Sequence, residues 1–382
     1  MMGSLLSIPA IIGFYMLISL LMLLFNVLYI FMQRRFDTKH ERRTNLWIQA
    51  IEPQLQAVLA VPHGHVSHSH RKMLSKNLRR IPELMGYHSA MQRMAQQYKA
   101  EGIQVYLTEC RPSFKRLASG YALRRDIEKA SFAFMLSEFP PRSGGTDTSD
   151  EMLLPYLMET NFFCRENALR ALYALGDAMT VERAFEILAR QNIFHHEILL
   201  ADGLMNFSGN KVALAGQLWK HVLDWPEHMG AAVIEFIGFC GADYRQTLYE
   251  AMRKPVMGLQ VRLSILHYFY MHPFEPMRPL LLEYLAQADH AVELAIGSAS
   301  ALAAFPGPES IDALKTALSS RNWSVRNNAA LSLLALGAES YDLDEVLQGK
   351  DPFAMDMLCY HVQSQGEEGQ FPQCAKRGTK QE

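Results

Sequence analysis

No glycine-rich phosphate loop, GxSxG elbow, HExxH helix or CxxC pair occurs in this chain of 382 residues. The short motifs that mark phosphate binding, acyl transfer or structural zinc are therefore missing. No catalytic residue and no cofactor are expected. Cysteine is scarce, and Cys110, Cys164, Cys240, Cys359 and Cys374 are odd in number and widely spaced. That pattern suits neither a disulfide framework nor a zinc site, and it fits a reducing compartment. Charge is absent from the first 32 residues. A cleaved secretory leader is not expected there, because the apolar run is too long and lacks a basic start and a small-residue cleavage site.

The segment without charge runs from Leu5 to Met32, with the core IIGFYMLISLLMLLFNVLYIF. About 20 apolar residues cross a bilayer core, so this stretch is long enough to span with some tilt. Tyr15 and Tyr29 lie towards its two ends, where amphipathic rings favour the interface. Arg34, Arg35, Lys39, Arg42 and Arg43 follow it directly. By the positive-inside rule the N-terminus then lies outside and everything after Met32 in the cytoplasm, on a single-pass protein of the cell's inner membrane.

The formal net charge of −2 hides an asymmetry. Residues 33–145 carry 19 Lys/Arg against 9 Asp/Glu, and residues 146–382 carry 18 against 30. The basic part adjoins the span, where anionic lipid headgroups would attract it. Nucleic acid is not an expected partner, since no binding motif accompanies the charge and the rest of the chain is acidic.

Periodicity is the strongest positive signal. CRENALRALYALG at Cys164–Gly176 and VRNNAALSLLALG at Val325–Gly337 share seven of thirteen positions. A unit of about 32 residues relates them to copies starting at His196, Met229, Val261 and Leu294. Eight residues after each start stand Leu172, Leu204, Ile237, Phe269, Leu302 and Leu333, the column of a buried helical seam. A shorter amphipathic stretch precedes most copies, as in Leu153 with Leu157 or Leu314 with Leu318, and Pro or Gly marks the junctions. Each unit reads as a helix pair that hides its apolar faces only by stacking on neighbours.

This signature, an Arg and an Ala ahead of a closing Leu-Gly, resembles the HEAT repeat in its short bacterial form. The resemblance implies an all-α protein in which a single N-terminal transmembrane helix precedes an α-solenoid of stacked helix pairs. The expected layout is an anchor over 1–33, a basic helical region over 34–145 capping the solenoid, HEAT-like repeats over 149–363 and a disordered tail over 364–382. The family's helix-two arginine falls on Arg165, Arg262 and Arg326, with a structural bracing role implied. The acidic residue expected shortly before it is Asn322 in the last copy.

The remaining cluster is His63, His65, His68 and His70 in PHGHVSHSH. Imidazoles on a flexible loop can gather on zinc, nickel or copper. The neighbouring Ser67 and Ser69 suit an ordinary helix start instead, and no carboxylate or cysteine beside them completes a set. The leading expectation is a non-enzymatic scaffold or adaptor that holds protein partners at the membrane, for example in an envelope polysaccharide synthase or a secretion system. Alternatives are a metal-responsive sensor on the histidine loop and a bilin lyase-like HEAT enzyme.

Overall fold

A computed structural model describes residues 8–60, 64–142, 149–255, 257–366, 370–371 and 373–374. Among them every regular element is a helix and none is a strand. The chain divides into two compact units, Met1–Leu175 and Gly176–Glu382. The first repeat copy falls in the first unit and the later copies in the second.

The first unit is organised by α1, a single helix over Ile8–Ala60. Its N-terminal part is long and apolar enough to cross a membrane, with a mean hydropathy of 2.3 and no buried residue in its most apolar stretch. The helix does not end at the charged flank. It runs through Pro53 and buries Thr44, Trp47, Ile51, Leu55 and Val58 along one face, a spacing of three and four residues that keeps them on one side. Against that face packs α3 (Ile81–Gln97). Gly86 makes the approach possible, since a Cβ there would stand 3.1 Å from the Arg43 Cβ and 3.3 Å from the Trp47 ring. Glu83 ties the crossing, accepting from the Trp47 indole at 3.1 Å and pairing with Arg43 at 3.2 Å.

Helices α2 (His68–Asn77), α4 (Ala100–Tyr121), α5 (Asp126–Glu138) and α6 (Phe162–Leu175) complete this unit. Its core is unusually rich in tyrosine: Tyr87, Tyr106, Tyr121 and Tyr156 are fully buried. Their hydroxyls need partners when dry. Tyr121 donates to the Leu78 carbonyl at 2.6 Å, Tyr156 to that of Ala118 at 2.9 Å, and Tyr106 meets His70 at 2.8 Å. The stretch around Leu153 and Leu157 is a 3-10 helix, Ser149–Met158, with Pro155 inside it. Proline at that point denies an α-helix one donor and crowds the preceding turn.

In the second unit two sets of helices alternate along the chain. Here α8 (Glu197–Met205), α10 (Glu227–Phe239), α12 (Leu259–Met271), α14 (Val292–Ala301), α16 (Trp323–Ala335) and α18 (Pro352–Gln365) pack each on the next. The other set comprises α7 (Ala178–Arg190), α9 (Lys211–Trp219), α11 (Arg245–Met252), α13 (Arg278–Ala286), α15 (Pro308–Ala317) and α17 (Asp344–Leu347), with α7 on α9 and α13 on α15. All six residues of the sequence column are at most 1 % exposed. The glycine that closes the motif has a positive φ at Gly176 (82°), Gly241 (83°) and Gly337 (71°). That left-handed residue lets a helix stop and the chain turn away, at a steric cost for any residue with a Cβ.

Two expectations need correction at the C-terminus. Cys359 on α18 is disulfide-bonded to Cys374, against the reading that the cysteines form no disulfide. The tail is also not wholly unstructured, because Phe371 and Cys374 are buried and Gln363 donates to the Cys374 carbonyl at 3.0 Å. Gly366, in the left-handed conformation, ends α18 and allows the chain to turn back on it. Neither the polar composition of the tail nor a spacing of fifteen residues between thiols exposes such a return.

Candidate functional site

The three motif arginines act on the turns before their helices. Arg165 Nη1 donates to the Glu159 and Thr160 carbonyls at 2.8 and 2.9 Å, and Arg326 Nη1 to those of Ser320 and Arg321 at 2.7 and 3.2 Å. The offsets are identical in the two copies. Even the helix starts match, since Asn161 and Asn322 each accept the amide three residues on, from Cys164 and Val325. Arg262 departs from the pattern, reaching the Met257 and Lys254 carbonyls and the Tyr284 hydroxyl on α13. A lysine has one ammonium on a flexible stem and cannot hold such a fork. Arg262→Lys is expected to destabilise the second unit by about 1–2 kcal/mol, the scale of a lost charged hydrogen bond at a half-exposed site. Thermal unfolding checks this, and an unchanged midpoint would remove the bracing role.

The histidines do not converge. His63 lies outside the described residues. His65 is exposed and pairs with Glu109 at 3.2 Å, and His68 is exposed at the start of α2. His70 is buried on Tyr106, and burial lowers its pKa to about 4. Ser67 caps α2 by accepting from the His70 amide at 3.3 Å. Among the described residues no group of three or more His, Cys, Asp or Glu could hold a metal ion. The basic flank is a set on one helix: Arg34, Arg35, Lys39 and Arg42 are exposed on α1, and Arg43 is the one drawn into a pair with Glu83.

A largely apolar groove of about 650 Å3 runs across α12, α14 and α16 in the second unit. Leu263, Leu266 and Tyr270 form one wall, Ile296 and Gly297 the floor, and Leu331 and Ala335 the other wall. Gly297 has a steric reason, because a Cβ there would stand 2.8 Å from Leu266 Cδ1. Polar groups in it are mostly tied internally. Ser300 bonds Asn328 at 2.9 Å, Asn328 donates to the Ser324 carbonyl at 2.8 Å, and Ser332 to that of Ala299 at 2.7 Å. At the α10 side the His267 ring meets the Glu235 carboxylate at 2.9 Å, and the hydrogen bond to Glu235 raises the pKa of His267.

Beyond that pair a smaller hollow of about 280 Å3 continues over α8 and α10, lined by Glu197, Ile198, Asp202, Ala231 and Glu235. Neither hollow has Lys or Arg among its lining residues, and Glu293 adds a further carboxylate. The groove was not foreseen from sequence, yet a signal for it exists. Two and six residues after the repeat starts stand Ile198 and Asp202, Ala231 and Glu235, Leu263 and His267, and Ile296 and Ser300, all of them lining residues. These positions lie on the side of each helix away from the buried column. Their chemistry passes from acidic at α8 to apolar at α16.

No protein-family model matches the chain, and no curated protein does. Function must therefore be argued from this geometry.

Proposed function

We propose that this chain is a membrane-anchored, non-catalytic binding platform of the HEAT-like solenoid kind, with the face made by α8, α10, α12, α14 and α16 as its docking surface. The observation that supports it most is that equivalent positions of successive repeat copies line two hollows that the Glu235–His267 pair joins. A stacked array exposes the same positions again and again, so a run of them forms an elongated surface suited to an extended or helical partner segment. An apolar floor with carboxylates at one end favours a segment that offers apolar side chains flanked by Lys or Arg. The anchor confines the encounter to the membrane, which raises the effective concentration of a partner held in the same bilayer.

Two signals bear on the side of the membrane and point apart. The basic residues after the span favour the cytoplasm, whereas a disulfide persists in oxidising compartments. The flank acts on insertion itself and sets the side on which the chain after the span comes to lie, whereas the Cys359–Cys374 bond closes one short local loop.

Crosslinking in native membranes, followed by purification in mild detergent, tests the platform. A stoichiometric companion protein is expected, and Ile296→Glu, which sets a carboxylate on the half-exposed floor, is expected to lower its recovery about tenfold, the scale of one lost apolar anchor. Recovery of the chain alone, or a companion indifferent to Ile296→Glu, would remove the proposal. A C-terminal reporter that is active only outside the cytoplasm would reverse the orientation.

A further inference from the structure

The first unit carries an apolar tip in a place where the fold does not require one. The turn between α4 and α5 presents Leu123 at 92 % exposure, and Ile127, the second residue of α5, is 63 % exposed. Exposed arginines accompany them: Arg125 in the turn, Arg116 in the last turns of α4, and Arg79 and Arg80 after α2, a segment that Tyr121 and Arg124 tie to this turn. Arg124 is not part of this set. It donates to the Arg79 carbonyl, lies 3.9 Å from Glu128 and stacks over the Tyr121 ring at 4.8 Å, so it fastens the turn to the end of α2.

The corner is also tied to α1. Arg80 is the residue at which α3 begins, and Glu83, one turn later, holds Arg43 of α1 at 3.2 Å. Arg43 stands eleven residues beyond Met32, roughly 16 Å of helix. The tip therefore belongs to the end of the unit that faces the bilayer, if α1 spans it, and a modest tilt of α1 brings one side of that end to the headgroups. Of the carboxylates within the corner, Glu83 and Glu128 are engaged by Arg43 and Arg124, and Asp126 opens α5 between Arg125 and Ile127.

We propose that this corner is a second, peripheral membrane contact. Leu123 and Ile127 enter the headgroup boundary of an anionic leaflet, and Arg79, Arg80, Arg116 and Arg125 pair with lipid phosphates. An apolar tip ringed by arginine is the composition that interfacial segments use, and polybasic surfaces are drawn to anionic lipid within about a Debye length. A nucleic acid or acidic protein would use the arginines and leave the two apolar side chains in water. With the corner seated, the body is held at a fixed angle to the membrane, where the anchor alone would let it swing. The inference rests on α1 being a span.

The full chain in lipid nanodiscs tests it. Cys110, Cys164 and Cys240 are buried and the other two cysteines are bonded, so a Leu123→Cys variant can be labelled selectively with a polarity-sensitive fluorophore. Quenching by spin-labelled lipid is expected to be about threefold stronger with phosphatidylglycerol present than in phosphatidylcholine alone, and to fall on adding salt. Replacing the four arginines by glutamine is expected to abolish the difference, with an unchanged melting curve showing that the fold is intact. A label at Ser19, within the apolar stretch, separates the two ideas. Quenching at Ser19 without quenching at Leu123, or equal quenching at Leu123 in both lipids, overturns the corner. Absence of quenching at Ser19 overturns the span itself.

Discussion

A variant that starts at Gln33 is expected to remain in the supernatant after alkaline carbonate treatment, while the full chain stays with the membrane. Between Ile12 and Met32 eighteen large apolar side chains are exposed, among them Phe14 at 63 %, Leu20 at 64 % and Phe25 at 68 %. At about 1.5–3 kcal/mol for each side chain removed from water, their transfer to hydrocarbon is worth roughly 30–50 kcal/mol. Neither salt nor high pH competes with that. The same variant is expected to fold, because the residues that α1 gives to the core begin at Thr44 and continue through Trp47, Ile51, Leu55 and Val58. A cooperative melt within a few degrees of the full chain checks the second half of the statement. Retention of the shortened protein in the carbonate pellet would show that something other than the apolar stretch holds it there.

That variant also shows where sequence reading succeeded and where it stopped. The apolar stretch was legible because hydrocarbon imposes a length and a composition that few other structures need. The helical class was legible for a similar reason: the column from Leu172 to Leu333 repeats at a spacing that only packed helices explain. Less visible was the continuation of α1 to Ala60. Pro53 and the charged flank both look like punctuation, yet the Trp47 to Val58 face has somewhere to go, and packing against α3 outweighs a local proline penalty. Leu46 and Leu59, members of the same apolar stripe in sequence, are instead more than half exposed. Periodicity alone does not say which edge of a stripe meets a neighbour.

The site was harder still. The buried column is apolar in every copy and announces itself, whereas the groove column runs Asp202, Glu235, His267, Ser300, with no shared chemistry to catch the eye. Docking surfaces vary because they fit partners, and a partner leaves no trace in one sequence. The histidine cluster is the opposite case, a segment that resembles a ligand set because four imidazoles crowd it. The structure sends His65 to Glu109 and His70 into the core, since α2 starts between them and a helix start disperses its side chains around the axis.

His70 carries the second large effect, a loss of stability in acid. The residue is 6 % exposed and bonded through Nε2 to the buried Tyr106 hydroxyl at 2.8 Å, with burial unopposed by any neighbouring carboxylate. Burial lowers its pKa from 6.5 to about 4. The neutral ring is thus the form that the fold accepts. Stability from this residue is fully present above the unfolded-state value near 6.5 and is lost as pH falls towards about 4, where the folded chain also takes up the proton. The interval corresponds to about 3 kcal/mol, a large share of what a unit of this size has in reserve. Other carboxylates titrate over the same range, so the comparison must be with His70→Gln, which keeps a polar partner for Tyr106 and cannot charge. Wild type should lose stability more steeply than His70→Gln between neutral pH and about 4, in unfolding followed through the tyrosine signal of the first unit. Parallel pH profiles for the two proteins, or an imidazole resonance of His70 that titrates near 6.5, would mean that the ring is wetter than its packing implies.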